Sequence, residues 1–404
     1  MKDFTMVIPT YWKQAGASAE KVVFDHPTPL DETGTLGRLL DSLEIFDRVQ
    51  GKIVIIAVAN HPAIAGEVED KIRRIIAPYS RSFDICILGE GTLEKVRRML
   101  SAKGVSAKAL SMINLDNYAG VRNICSLAGV LTGSRYTIFI DDDEVFCDRK
   151  FLEKIDENME RPYNGDTVKA LAGYYLQPDT YRLDERAVPS WRKPHWNNTA
   201  VMNEAFDLFI GRGERLKAVP FVFGGNMTLC VDVLKRVPFD PRITRGEDMD
   251  YLINARFQGI GWWLDKEATI VHLPPGKKHG AHSAPSYSRL EQDVRRFIYE
   301  TGKIEAAKRE PGFYWFDPAE LDPYPGAFLH GDVATHALDA LSQSWPPDEL
   351  CLFPSPSNLV ADAVCYARES APRYFAFARE WPRLMAALAD DRILQDHFRR
   401  KLGC

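Results

Sequence analysis

Strand-length apolar runs and helix-spaced apolar stripes take turns along the chain from Phe4 to Ile140. Phe4 to Pro9 reads as a first strand. Leu36, Leu39, Leu40 and Leu43 then fall at i, i+3, i+4 and i+7, one face of a helix. Ile53 to Ala59 is a continuous apolar run of strand length, as expected of a strand covered on both faces. Val68 to Ile76 has helical spacing, and Phe83 to Leu88 is another strand. Ile124, Leu127, Ala128 and Leu131 give a further helix, which Gly133 stops before the strand Tyr136 to Ile140. Such βαβα order predicts an α/β fold, a mostly parallel sheet with helices on both faces. Ligands of such sheets bind at the carboxyl ends of the strands.

One of those ends carries Asp141-Asp142-Asp143-Glu144. Carboxylates crowded this closely repel each other and favour a cationic partner. A hard divalent cation, Mg²⁺ or Mn²⁺, takes oxygen ligands and shares them with substrate phosphates. A solvated acidic turn is the plainer alternative for the acids alone.

Composition removes several classes of function. The 404 residues, 45% hydrophobic, suffice for a large core and more than one average domain. A net charge of −5 without a long Lys/Arg block gives no basis for a nucleic-acid partner. The longest clean apolar run, Ile53 to Ala59, is far too short to span a bilayer. Met1-Lys2-Asp3-Phe4 leads straight into a strand without a signal-peptide core. Seven cysteines without a C-x-x-C pair suggest reduced thiols, and the expectation is a cytoplasmic protein.

Beyond Ala170 the pattern loosens. Ala170 to Leu176 is a strand, and Gln177 to Thr199 is a long loop or a substrate-facing insertion. Glu247 and Asp248 open a helix whose apolar face holds Met249, Leu252, Ile253 and Phe257. Acids there suit capping and the helix dipole as well as catalysis. The last hundred or so residues read as mainly helical, with stripes at Val333, Ala337, Leu338 and Leu341 and at Leu384, Ala387 and Leu388. These stripes need a cover, and the expectation is that the region packs on the rest of the chain and forms a homodimer contact.

Three segments together resemble the GT-A glycosyltransferases, above all the family 2 nucleotide-sugar transferases. They are Val7-Ile8-Pro9-Thr10-Tyr11; Gly120-Val121-Arg122-Asn123 on to Asp141-Asp142-Asp143; and Gly224-Gly225-Asn226-Met227, Pro238-Phe239-Asp240, Gly246-Glu247-Asp248-Met249-Asp250, Gly259 and Val271-His272. The likeness spans about residues 4–275 and leaves the C-terminal region aside.

The resemblance implies a GT-A (Rossmann-like) mixed sheet over residues 1–290, with a nucleotide-sugar half at 1–145, an acceptor half at 146–290 and a helical region at 291–404. It implies a hexosyltransferase that moves a sugar from a nucleotide diphospho-sugar to an acceptor hydroxyl with Mn²⁺ or Mg²⁺. Asp141 and Asp143 resemble the family's D-x-D pair, with Asp143 on the metal and Asp141 acting through the sugar, ribose or a metal water. His272 completes the metal site. Pro9, Thr10, Tyr11, Asn60, Arg122, Asp142, Gly225 and Asn226 join Asp141 as donor-binding residues. Asp248, beside Glu247, is the general base if the transfer inverts configuration; in a retaining enzyme the pair positions hydroxyls. Ala57-Val58-Ala59-Asn60-His61 departs from the family's usual base-reading aspartate segment. Lys277, Lys278 and His279 offer charge to an anionic acceptor or to the leaving diphosphate, or form a solvated basic loop. His279 and His282 have no place in the motif order, and the 11–35 loop is a lid or a surface excursion. Two rivals are a nucleotidyltransferase, for which Pro9-Thr10-Tyr11-Trp12 lacks the Gly-rich loop, and a catalytically silent sugar-nucleotide-binding scaffold.

Overall fold

The computed structural model describes residues 3–15, 24, 27–47, 49–177, 179–274, 287–343, 355–391 and 395–396. Lys277, Lys278, His279 and His282 lie outside them, as does most of the 16–26 loop. The main path of the sheet uses β1 (Phe4–Lys13), β2 (Lys52–Ala59), β3 (Asp84–Leu88), β4 (Tyr136–Phe139), β5 (Ala170–Leu176), β6 (Leu216–Ala218), β7 (Met227–Cys230) and β8 (Trp263–His272). Their spatial order is β6-β8-β5-β7-β4-β1-β2-β3. From β3 through β4 the neighbours are parallel. β7 then runs antiparallel between β4 and β5, and β8 lies parallel to β5. The sheet is therefore mixed, as expected. Its parallel half matches the βαβα reading, and the looser sequence beyond Ala170 supplies the mixed half.

Helices α1 (Leu36–Ser42), α2 (Ala65–Ile76), α3 (Glu90–Ala102) and α4 (Tyr118–Thr132) connect the parallel strands. The Asn117 side chain caps α4 by accepting the Gly120 N–H at 2.8 Å. Gly133, at φ 74°, ends it in the left-handed conformation that glycine adopts without strain. Every residue of α4 after Tyr118 is buried, more than the four-residue stripe alone marks. The second cover comes from the end of the chain.

α5 (Glu247–Arg256) precedes the C-terminal helices α6 (Tyr287–Ala307), α7 (Val333–Gln343), α8 (Pro356–Ser370) and α9 (Pro372–Ala389). α9 packs against α4, and the indole Nε1 of its fully buried Trp381 donates to the Leu234 carbonyl at 2.8 Å. Val333, Ala337, Leu341, Leu384 and Leu388 are all buried within the chain. The cover that these stripes require is thus intramolecular. α6 runs across the expected boundary at residue 290, and the apolar side chains of both regions belong to one core.

A buried polar cluster pins α6 to α5. Lys303 is fully buried and bonds Asp250, as well as Asn254 Oδ1 at 2.8 Å and Asp240 Oδ2 at 3.5 Å. The Tyr299 hydroxyl donates to Asp240 at 2.6 Å. Removing one member of such a group leaves a charge in the interior without compensation.

Among the described residues no helix is long and apolar enough to cross a membrane.

Candidate active site

β4 ends at Phe139, and the acidic run turns back on itself. The Glu144 carboxylate accepts the Asp141 N–H at 2.8 Å, and Glu144–Val145 forms a short antiparallel pairing with the end of β8. That register sets His272 opposite Glu144, and the Leu273 N–H bonds the Asp143 carbonyl at 2.8 Å. Residues far apart in the chain meet as a result: His272 Nε2 lies 3.3 Å from Asp143 Oδ2. The imidazole stacks on the Tyr175 ring at 5.4 Å between centroids. The Tyr175 hydroxyl in turn accepts the Gly225 N–H at 2.6 Å.

Asp141 points to Arg122 on α4. The buried guanidinium donates to it from Nη2 at 3.0 Å, holds Nη1 in ion-pair contact with its other oxygen at 2.8 Å, and reaches Glu247 Oε1 at 3.3 Å. Glu247 is nevertheless pushed up to about 7, chiefly by burial and against the pull of Arg122. Asp248, the next residue of α5, accepts its own helix's Met249 N–H at 2.8 Å and the Gly224 N–H at 3.1 Å. Burial raises its pKa as well.

Asp142 accepts the Thr10 hydroxyl at 2.5 Å, and burial with the adjacent Asp143 pushes it up to about 8. Glu144 is almost fully buried, and desolvation holds its carboxyl well above the usual range. Gly225 sits directly against it. A Cβ there would collide with Glu144 Oε1 and lie 2.7 Å from Asp141 Oδ2, so this position has no room for a side chain.

The site opens on a cavity of about 500 Å³. Of the residues expected at the site, Tyr11, Arg122, Asp141, Asp142, Asp143, Glu247, Asp248 and His272 line it. Five others do not. Pro9 is an interior residue of β1, and Thr10 is fully buried, receiving the Trp12 indole N–H at 3.0 Å while it holds Asp142. Asn226 is buried, and its amide donates to the Tyr174 and Ala268 carbonyls, both at 3.1 Å. It ties β5 to β8 behind the site. Gly225 supplies its N–H to Tyr175 and leaves room for Glu144. Asn60 stands one strand over, past the end of β2, with its N–H on the Trp12 carbonyl at 2.7 Å. These five therefore stand behind or beside the cavity and not on its wall.

The opposite wall was legible only in part, through the 177–199 segment read as a loop or a substrate-facing insertion. Arg192 and Asn198 come from the 177–199 insertion, Arg245 precedes α5, and Arg289, Asp293 and Arg296 come from α6. A second signal for it was available: Arg289 and Arg296 are seven residues apart, two turns on one helix face.

No protein-family model and no curated protein matches the chain. Solved structures do. The mannosyltransferase PcManGT from Pyrobaculum calidifontis, in complex with GDP-Man and Mn²⁺, is 12% identical over 96% of this chain and 86% of its own, with a TM-score of 0.48. Glucosyl-3-phosphoglycerate synthase from Mycobacterium tuberculosis, with Mn²⁺, UDP and phosphoglyceric acid, is 14% identical over 73% and 78%, at 0.35. GalNAc-T7, with UDP, GalNAc and Mn²⁺, is 11% identical over 90% of this chain and 58% of its own, at 0.41. Likeness at this level does not carry an activity across. The chemistry of the cavity rests on its own side chains.

Proposed function

We propose that this chain is a metal-dependent glycosyltransferase that moves a sugar from a nucleoside diphosphate to an acceptor hydroxyl. The observation that carries this reading is the Asp143–His272 pair, 3.3 Å apart, opening on the same cavity as Asp248. Asp143 and His272 would hold the cation. The donor set fits a cation that takes the rest of its ligands from substrate. Among the described residues no three His, Cys, Asp or Glu groups form a closed cage, and one oxygen plus one imidazole leaves positions for phosphate oxygens. An imidazole ligand suits Mn²⁺ better than Mg²⁺. When bound, the cation supplies Lewis-acid relief of the charge that builds on a departing diphosphate.

The protein's own groups divide the remaining work. Arg122 fixes Asp141 beside the pair and occupies Glu247. Asp248 is the carboxylate left to take a proton from the acceptor, as an inverting transfer requires. Its two oxygens are aimed by the Met249 and Gly224 N–H groups. Burial raises its affinity for a proton, which improves a carboxylate as a base near neutral pH. The nucleotidyltransferase and scaffold alternatives lose ground on the same geometry: a base aimed into the cavity has no task in a silent scaffold.

Calorimetric titration of Mn²⁺ with pyrophosphate tests the metal assignment. Asp143→Ala is expected to abolish metal-dependent diphosphate binding without changing the circular dichroism spectrum. Undiminished affinity in that variant removes Asp143 from the metal site.

A further inference from the structure

We propose that the α6 wall of the cavity is a binding site for an anionic group, a phosphate monoester or a carboxylate, carried by the acceptor. The inference rests on the transferase reading only for the word acceptor; the anion site itself stands on charge and geometry. Four guanidinium groups, Arg192, Arg245, Arg289 and Arg296, and two carboxylates, Asp184 and Asp293, face the cavity on this side. Both carboxylates are already engaged. Asp293 receives Arg192 at 2.8 Å and the Asn198 amide at 3.1 Å, and Asp184 holds Arg186 at 2.9 Å.

Arg296 packs its guanidinium over the Phe297 ring at 4.3 Å, but its hydrogen-bonding capacity is mostly unused. Only 9% of its surface is exposed, yet its Nε has no hydrogen bond. Its remaining polar contacts are long: 3.4 Å to the Tyr324 hydroxyl and 3.9 Å to Asp293. Glu300, one turn further along α6, makes no hydrogen bond to it with either oxygen. Arg289 has no ion pair among the described residues. A desolvated guanidinium calls for a carboxylate or phosphate in its planar fork, and this one opens toward the cavity.

Its position links the anion to the chemistry. The Arg296 guanidinium sits hard against Gly246: a Cβ there would overlap Nη1 and come within 2.7 Å of Cζ. Gly246, at φ 73°, is the N-cap of α5, two residues before Asp248. An anion held by Arg296 and Arg289 therefore places its own molecule beside the proposed base. The acidic wall at the β4 tip, across the cavity, is where a metal-bound diphosphate belongs, so the donor does not supply this anion.

Titration of the full chain with inorganic phosphate and with glycerol phosphate, against glycerol as the uncharged control, tests the proposal. Both anions are expected to bind at one site without added metal, and glycerol is not. Arg289→Gln, at a partly exposed position that leaves the fold undisturbed, should weaken anion binding at least ~10-fold. Arg296→Lys, which keeps the charge but loses the fork, should weaken it less than Arg289→Gln combined with Arg296→Lys. Asp143→Ala should leave anion binding intact, while Mn²⁺–pyrophosphate binding should survive Arg289→Gln. No saturation by about 10 mM phosphate, or equal affinity in Arg289→Gln, overturns the site. Phosphate binding that requires both Mn²⁺ and Asp143 also overturns it, by assigning the anion to the donor side. Loss of Mn²⁺–pyrophosphate binding in the unaltered protein strikes the transferase reading alone.

Discussion

The cavity has two walls, built in opposite ways. The acidic wall comes from two short contiguous stretches, 141–144 at a strand tip and 247–248 at a helix start. Its carboxylates are crowded, braced by backbone N–H groups and by a single arginine, Arg122. The basic wall gathers single residues from an insertion, a turn and a C-terminal helix, and the Arg296 Nε on it has no hydrogen bond. A contiguous motif achieves local geometry through secondary structure. A dispersed one depends on the packing that brings its carriers together, here the Lys303 cluster between α5 and α6.

Breaking each wall should therefore look different. The largest effect is expected from Asp248→Asn, which keeps shape and hydrogen bonding but removes basicity. Turnover with a nucleotide sugar should fall roughly 10²–10⁴-fold with donor affinity nearly unchanged. An anomeric product that retains the donor's configuration, read by NMR, would sink the base assignment.

Next in size is Lys303→Met, which strands Asp240 and Asp250 in the core. It should cost about 3–5 kcal/mol of unfolding free energy in urea titration and weaken anion binding on the α6 wall, though Lys303 touches no ligand. A loss below 1 kcal/mol would mean that the cluster does not hold the two helices together.

Gly225→Ala tests the close packing behind the acidic wall. The added methyl meets Glu144 and Asp141, for a cost of about 1–3 kcal/mol. Mn²⁺ affinity should drop with it, since both acids must shift. Unchanged melting and metal binding would show that this wall is looser than its geometry implies.

The smallest effect concerns pH. Glu300 is fully buried, burial pushes its carboxyl up to about 8, and neither oxygen is hydrogen-bonded. The folded state thus holds this proton more tightly than the unfolded chain, where a glutamate titrates near 4.3. Its contribution is fully present below the unfolded pKa and is lost as pH rises toward about 8. Glu300→Gln, a mimic of the protonated form, should flatten that decline between pH 5 and 9. An identical pH slope in both proteins would place the titration elsewhere.

The contrast between the walls also explains what could be read in advance. His272 was legible because its strand and its place in a motif order were, and the helix at Glu247 announced itself by acids followed by an apolar face. Thr10 and Asn226 were legible as motif members but not in where they stand. A polar residue in a motif reads as ligand-facing, and only the fold shows whether its atoms turn to a substrate or to a neighbouring backbone, as the Asn226 amide does at the Tyr174 carbonyl. α4 was legible in part: its apolar stripe marked one buried face, while α9 arrived from the far end of the chain to bury the other.

By itself the sequence determined the alternating strands and helices, the acidic strand tip and the acidic start of α5, because each follows from spacing and residue type within a few positions. The tertiary structure alone decided three things. β8 pairs with Glu144–Val145 in the register that brings His272 to Asp143. Arg122 engages Glu247 and leaves Asp248 to the cavity. α6 lies against α5 with Arg296 upon Gly246. These contacts join residues many positions apart, and burial and close packing, not local propensity, select the partners.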